Sequence, residues 1–377
     1  PDGETQWLYR HYISKYAGKV KYEESTLISG TPTSIATDPS RVYVGGCRIS
    51  AAGDCDAYIR AYNKSGSVAW ATPPQKAPFD LAGGYDSVNA MSAYNGNLFV
   101  AATTTTKNGD TDYLVLKIDA KTGDVLDFDQ YGTSAGNGAA LGIQAYKNRV
   151  VSVGSTMIWG EPEAFVKTYA AASFNTAWTA HLDLAGGYDE FSSVLVSSTT
   201  VVAAGTGTSI DGDTNVIAMA YRLSDGASKW TTPMVRDHNG GNDELVAATW
   251  YQGYGQRFML ASNMDHDLNV PGYVVSGHYA ASGNDAWTNE QVRFGSVETP
   301  YALAGGRYRT FVAAAALGAG GTSSYLVGAY TANNGKAYWQ DPVNDVFYAR
   351  VVTATKYTEK TVYAAGCRIN NDGKCSI

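Results

Sequence analysis

The chain is poor in charge, in cysteine and in helical patterning, and each shortage excludes something. Charged residues make up 17% of its 377 positions and the net charge is −7, against roughly 25% charged in an average globular protein. The basic residues are scattered, whereas nucleic-acid binding needs a basic stripe. No apolar run approaches the ~20 residues that cross a bilayer; the longest, Phe311 to Leu317, is strand-sized. No segment keeps a 3.6-residue period long enough for a helix, so helix should be nearly absent. Gly-x-Ser-x-Gly elbows, P-loops and HExxH pairs are missing. His11, His181, His238, His266 and His278 show no helical metal spacing. No Pro/Ser-rich linker or composition shift divides the chain. No leader-like segment opens it at Pro1, which reads as a mature or trimmed form.

The four cysteines fall in two near-copies of one motif, GCRISAAGDC (Cys47, Cys55) and GCRINNDGKC (Cys367, Cys375). Zinc sites favour spacings of two to four with histidine partners, which these lack. A bridge across a β-hairpin fits, because opposed residues there lie within disulfide reach; free buried thiols are the alternative. Disulfides place a protein in a secreted, periplasmic or cell-surface setting.

What the chain does have is a repeat. A Gly-bearing turn followed four residues later by an aromatic recurs as Gly66/Trp70, Gly226/Trp230, Gly283/Trp287 and Gly335/Trp339, with Gly123/Asp127 and Phe174/Trp178 as variants. The last positions are 57, 51, 52, 57 and 52 residues apart. Gly18/Tyr22 opens a seventh copy that lacks its first two strands, and strands with no partners lie at the other end. Each unit reads as four strands: a short strand a, an apolar strand b, an alternating strand c, and a strand d carrying the aromatic. This is the sequence form of a propeller blade. The expected fold is all-β: one seven-bladed β-propeller over residues 1–377, four antiparallel strands per blade. Its last blade would be formed by about 344–377 plus 1–28, so the N-terminal strands close the ring. Tyr22, Trp70, Trp178, Trp230, Trp287 and Trp339 would dock adjacent blades, while Asp127 breaks the rule.

The units GGYDSVNAMSAYNGNLFVAATTTTKNGDTDYLVLKIDAKTG and GGYDEFSSVLVSSTTVVAAG resemble the bacterial-type seven-bladed β-propeller repeat family. The resemblance covers essentially the whole chain and implies a fold, not a function. The strand-d turns are also similar to the tryptophan-docking repeat of quinoprotein dehydrogenases, which typically have eight blades and often an adjacent-cysteine pair that is missing here.

Strand order puts the d–a and b–c loops at one end of a blade. The d–a loops carry Tyr85-Asp86, Tyr188-Asp189 and Asn242-Asp243 behind paired glycines. Either these Asp cap backbone amides at the entry to strand a, or they make an acidic rim that attracts cations or sugar hydroxyls. The b–c loops carry Asp110/Asp112, Asp211/Asp213 and Asp265/Asp267, which are turn formers or ligands for Ca²⁺, a hard cation that takes six to eight oxygens. Trp159 lies outside the docking rhythm, as a stacking platform for sugars or a hairpin-packing aromatic. Asn63-Lys64-Ser65 is a glycosylation sequon.

No catalytic signature stands out. The sequence therefore reads as a non-catalytic extracellular or cell-surface propeller, a scaffold or binding module for proteins or glycans, with no cofactor beyond Ca²⁺ and with no nucleic-acid partner. The competing reading is an enzyme acting at the channel mouth, such as a quinoprotein-like oxidoreductase or a lyase.

Overall fold

The computed structural model describes residues 30–49, 53–72, 84–132, 136–238, 240–251, 257–264, 272–291, 297–306, 308–317, 323–343, 348–354, 362–369 and 375–376. Among these the chain is all-β, with no helix. The strands form six four-stranded sheets and one three-stranded sheet of Tyr348–Ala354, Val362–Ile369 and Cys375–Ser376. The described pairings are antiparallel and join chain neighbours, so each sheet is a meander with the build of a propeller blade.

Two compact units emerge, one drawn from Pro1–Gly160, Thr168–Thr176 and Lys374–Ile377, the other from Glu161–Lys167 and Ala177–Gly373. In the first unit, the second sheet shows why the strands form. Its strands a to d are Ser87–Tyr94, Asn97–Thr105, Thr111–Asp119 and Val125–Tyr131. Leu114, Leu116 and Ile118 alternate onto one face of strand c and pack with Tyr43, Ile59 and Val100. Tyr113 faces the other way and donates to Ser152 Oγ at 2.6 Å. Strands b and c are thus covered on both faces and read as near-continuous apolar runs. Each fully buried Val, Leu, Ile or Phe contributes about 1.5–3 kcal/mol. Strand d is the wet edge, with Leu126 and Phe128 about half exposed. In the second unit the same kind of interface joins Met259, Tyr273 and Trp287 to Val312, Ala314 and Tyr330.

One feature has no sequence signature. In every sheet the a–b pairing slips by one residue within strand a, around Thr33, Asn89, Leu141, Ser192, Val246, Tyr301 and Arg350. Such a bulge bends the strand and frees one residue from the ladder. Within each unit, strands a of consecutive sheets lie against each other. In the first unit the freed side chains bridge them: Thr33 Oγ1 donates to the Val88 carbonyl, and Asn89 Nδ2 donates to the Ala140 carbonyl at 2.8 Å. Gly154 and Gly205 sit beside the bulge because a Cβ there would strike the backbone of Ala139 or Glu190.

Four tryptophans dock one sheet on the next. Trp70, Trp178, Trp230 and Trp287 donate their Nε1–H to the carbonyls of Ala120, Leu223, Ala280 and Ala332, at 2.9–3.1 Å. Each ring lies on the turn glycine of that next sheet, Gly123, Gly226, Gly283 or Gly335. Gly226 shows both reasons for glycine: its φ is +76°, and a Cβ would fall inside the Trp178 ring. Trp339 is on strand Ala337–Val343, opposite Ala329, and Tyr22 lies outside the described residues.

Cys47 and Cys55 form a disulfide with Cα atoms 5.4 Å apart. They are not directly opposed. Ile49 faces Cys55 and Cys47 faces Ala57, so the bridge runs diagonally. The Cys367 and Cys375 side chains are outside the described residues.

Candidate functional site

The d–a and b–c loops carry most of the acids picked out in sequence, and the structure assigns most of these carboxylates local work. Asp86, Asp189 and Asp243 are at most 1% exposed. Asp86 Oδ1 accepts from Thr104 Oγ1 at 2.5 Å and from the Thr105 amide at 3.0 Å. Asp189 accepts from the Leu184 and Thr208 amides at 2.7 and 2.9 Å, and Asp243 accepts from the His238 amide at 2.6 Å. Burial pushes the Asp189 carboxyl up, while its two amide partners pull it down. The paired glycines let this loop close: a Cβ on Gly84 or Gly187 would meet Thr105 or Thr208. The tyrosines between remain outside, Tyr85 and Tyr188 being about half exposed, with Tyr188 Oη donating to Glu190 at 2.6 Å.

In the b–c hairpins the two Asp-x-Asp pairs are not equivalent. Their turn glycines, Gly109 and Gly212, align Asp110 with Asp213. Both are clasped inside their own turns, by the Thr106 and Ser209 hydroxyls. Asp112 is buried and accepts from Gln130 Nε2 at 2.6 Å, whereas Asp211 lies at the exposed turn. Neither pair belongs to a group of three acids among the described residues. Asp265 and Asp267 lie outside those residues.

A strap ties two of these hairpins to the following d–a loop. Asn137 Oδ1 accepts from the Thr111 amide and Asn242 Oδ1 from the Thr214 amide, both at 3.0 Å. At the equivalent place in the third sheet stand Pro162, which has no N–H, and Tyr188, which has no side-chain amide.

At that place the structure gathers three acids that sequence reading passed over. Glu161 and Glu163 begin strand c of the third sheet, Glu161–Ala170, and Asp183 follows strand Thr176–Leu182. One carboxylate oxygen of each lies within 4.8 Å of the others. Asp183 Oδ1 is fixed by the Gly186 amide at 3.0 Å. Glu163 is 0% exposed, and neither of its oxygens accepts a hydrogen bond among the described residues. Burial, then the charges of Asp183, Asp189 and Glu161, push its carboxyl up to about 7. Three convergent carboxylates offer hard oxygen donors to a cation. The signal was present in the repeat: Asp56, Asp112, Glu163 and Asn215 share one position at the start of strand c.

Trp159, at the tip of the b–c hairpin before Glu161, is 77% exposed. Asn63 Nδ2 bonds Ser67 Oγ in its c–d turn, and His181 is exposed. His11 and His266 lie outside the described residues.

A polar relay runs through the fifth sheet. Ser276 Oγ is 2.7 Å from His278 Nε2, and His278 Nδ1 is 3.1 Å from Asp285, which pairs with Arg236. The members and the ring nitrogens they meet match a Ser–His–Asp triad, but here the serine end is buried and the aspartate end is the open one. A nucleophilic serine must meet solvent, whereas Ser276 and His278 are buried. The 430 Å³ cleft here is lined by residues 232–236 and 282–285, so it opens on the Asp285 end. Burial, then Arg236, hold His278 down at about 3, so it is neutral. Its ring stacks on Phe258, at the position where other units carry Tyr169, Tyr221 or Tyr330.

No protein-family model matches the chain, and no curated protein sequence does. Solved structures do. Sqt1 from Chaetomium thermophilum matches with a TM-score of 0.48 and 11% identity, over 90% of this chain and 94% of its own. Quinohemoprotein alcohol dehydrogenase from Comamonas testosteroni matches at 0.42 and 12%, over 84% and 68%. BamB from Moraxella catarrhalis matches at 0.38 and 12%, over 79% and 85%. Likeness of this degree assigns no activity.

Proposed function

We propose that the chain is a non-catalytic β-propeller that works outside the reducing cytosol as a scaffold or binding module for a protein or glycan. The observation that carries this is a division of labour in the d–a and b–c loops. Asp86, Asp189 and Asp243 are buried and committed to backbone amides, while Trp159, Tyr85 and Tyr188 stand exposed. Flat aromatics on rigid turns supply contact area at low entropic cost, and their faces suit sugar rings or protein side chains. The Cys47–Cys55 bridge supports the compartment, and among the described residues no helix is long and apolar enough to cross a membrane.

In this reading the repeat closes as a single ring of seven blades. Among the described residues the last sheet has three strands where the others have four, and in this reading residues 1–28 complete it. Cys367 and Cys375 then bridge the hairpin of the last blade that corresponds to the one Cys47 and Cys55 bridge in the first sheet. Deleting residues 1–28 should lower the melting temperature; an unchanged melt overturns the closure.

The binding reading is tested on glycan and extracellular-protein arrays with the full chain. Trp159→Ala and the Tyr85→Ala/Tyr188→Ala pair should each lower a specific signal at least tenfold without moving the melt. Signal indifferent to all three overturns the assignment to these loops. Turnover in a hydrolase, lyase or dye-linked oxidation screen overturns the non-catalytic reading.

A further inference from the structure

We infer that Glu161, Glu163 and Asp183 bind one hard divalent cation of the Ca²⁺ class, which clasps strand c of the third sheet to the loop leading into the fourth. The inference stands whether or not the module has a glycan or protein partner.

The geometry comes first. Ca²⁺–oxygen bonds are about 2.3–2.6 Å, so two oxygens on one ion are at most about 5 Å apart. The three carboxylates fall within 4.8 Å of one another. Mg²⁺ keeps several waters and is usually held by one or two carboxylates, so a set of three suits the larger ion. The donors are all oxygens, which disfavours the softer transition metals.

Burial is the second observation. Glu163 is completely buried with both oxygens unpartnered among the described residues, and its carboxylate faces two more acids. A buried carboxylate is tolerated when it is protonated, hydrogen-bonded or bound to a metal. Two other sheets show the alternatives. At the same position Asp112 accepts from Gln130, and the fourth sheet has the uncharged Asn215. At Glu163 the chain instead adds two acids in place of a donor.

The third observation is what the corner lacks. Asn137 and Asn242 strap their hairpins to the next loop through the Thr111 and Thr214 amides. Pro162 and Tyr188 delete both halves of that strap between the two segments that carry Glu161, Glu163 and Asp183. A cation held from both sides would take over its task, with water completing the coordination.

The test uses the full chain after chelation and exhaustive dialysis, titrated with Ca²⁺ by calorimetry and with Tb³⁺ by luminescence, alongside melting curves. One saturable site and a Ca²⁺-dependent rise in melting temperature are expected. Glu163→Gln should fold, melt at least as high as the cation-free wild type, and lose affinity about 100-fold or more, since even residues behind the ligands of metal sites cost 10–100-fold. Asp183→Asn provides a second variant if Glu163→Gln does not fold, and Asp112→Asn should bind as wild type. The inference falls if the wild type shows no saturable binding up to millimolar Ca²⁺, if both ligand variants bind undiminished, or if Zn²⁺ binds at this site and Ca²⁺ does not.

Discussion

Among the described residues, four junctions lay a tryptophan from strand d on the turn glycine of the next sheet, while the junction between the second and third sheets reverses the arrangement. There the strand-d position is Asp127, exposed, and the turn position is Phe174, buried at φ +59°. Phe174 stacks on Tyr169 of its own sheet, centroids 4.7 Å apart, and on Phe99 of the second sheet at 6.3 Å. Lys117, directly across from Asp127, donates to the Ala172 carbonyl in that turn, a role resembling that of the indole N–H elsewhere. The junction needs an aromatic in the gap and a donor to the turn, and either side can supply them. The left-handed turn survives even when a phenylalanine must adopt it, at a strain of about 1–2 kcal/mol.

The largest contrast is predicted between the two aromatic-bearing positions on strand d. Trp178→Ala removes a buried ring and a hydrogen bond, and should cost about 3–5 kcal/mol in chemical denaturation. Asp127→Ala at the equivalent position should stay within ~0.5 kcal/mol. Equal losses would show that the strand-d position, not the filled gap, is what matters.

His278 offers a sharper departure, because it replaces the usual tyrosine with a titratable ring. It faces Ser276, Asp285, Arg236 and Phe258, with His238 near enough to repel its charged form. Its folded value of about 3 lies below the usual 6.5 of an unfolded chain. The unfolded state therefore binds the extra proton, so this stability is complete above pH 6.5 and drains as pH falls towards 3. At about 1.4 kcal/mol per pH unit, roughly 3 kcal/mol is lost by pH 4.5. Urea midpoints at pH 7 and 4.5 measure it, and His278→Tyr, which restores the residue of the sister sheets, should abolish that component. A variant equally acid-sensitive would place the titration elsewhere.

The reversed junction can itself be turned round. Asp127→Trp alone should clash with Phe174, and Phe174→Gly alone should leave a void. The double variant rebuilds the regular dock, so the two changes should be less damaging together than apart, with a coupling of about 2 kcal/mol in a double-mutant cycle. Additive losses would mean that the two positions do not share one gap.

This contrast also separates what was legible in the sequence from what was not. The Gly/aromatic turn could be read because glycine is demanded twice, by φ and by the ring against it, and the demand recurs from junction to junction. Asp127 was legible only as an exception, since its explanation lies 47 residues away in Phe174. The strand-a bulge was invisible, because residues as different as Thr33, Leu141 and Arg350 serve equally when the backbone alone is displaced. The acids show the same divide. Asp-x-Asp spacing grouped Asp110 with Asp112 and Asp211 with Asp213, but hairpin alignment pairs Asp110 with Asp213 and leaves the others in unlike settings. The three acids that do converge come from a hairpin and a loop 20 residues apart, and no local pattern joins them.

The smallest predicted effect concerns the straps. Asn242→Ala should cost about 1 kcal/mol, the net worth of one hydrogen bond whose amide partner can turn to water. Tyr188→Asn, which installs the missing half of the strap beside the third sheet, should gain nothing beyond ~0.5 kcal/mol, because Pro162 offers no N–H to accept from. Pairing it with Pro162→Thr supplies the donor and should recover about the 1 kcal/mol that Asn242→Ala loses. If Tyr188→Asn stabilises by itself, the tie between hairpin and loop does not depend on the amide at position 162, and the likeness drawn between this corner and those of Thr111 and Thr214 fails.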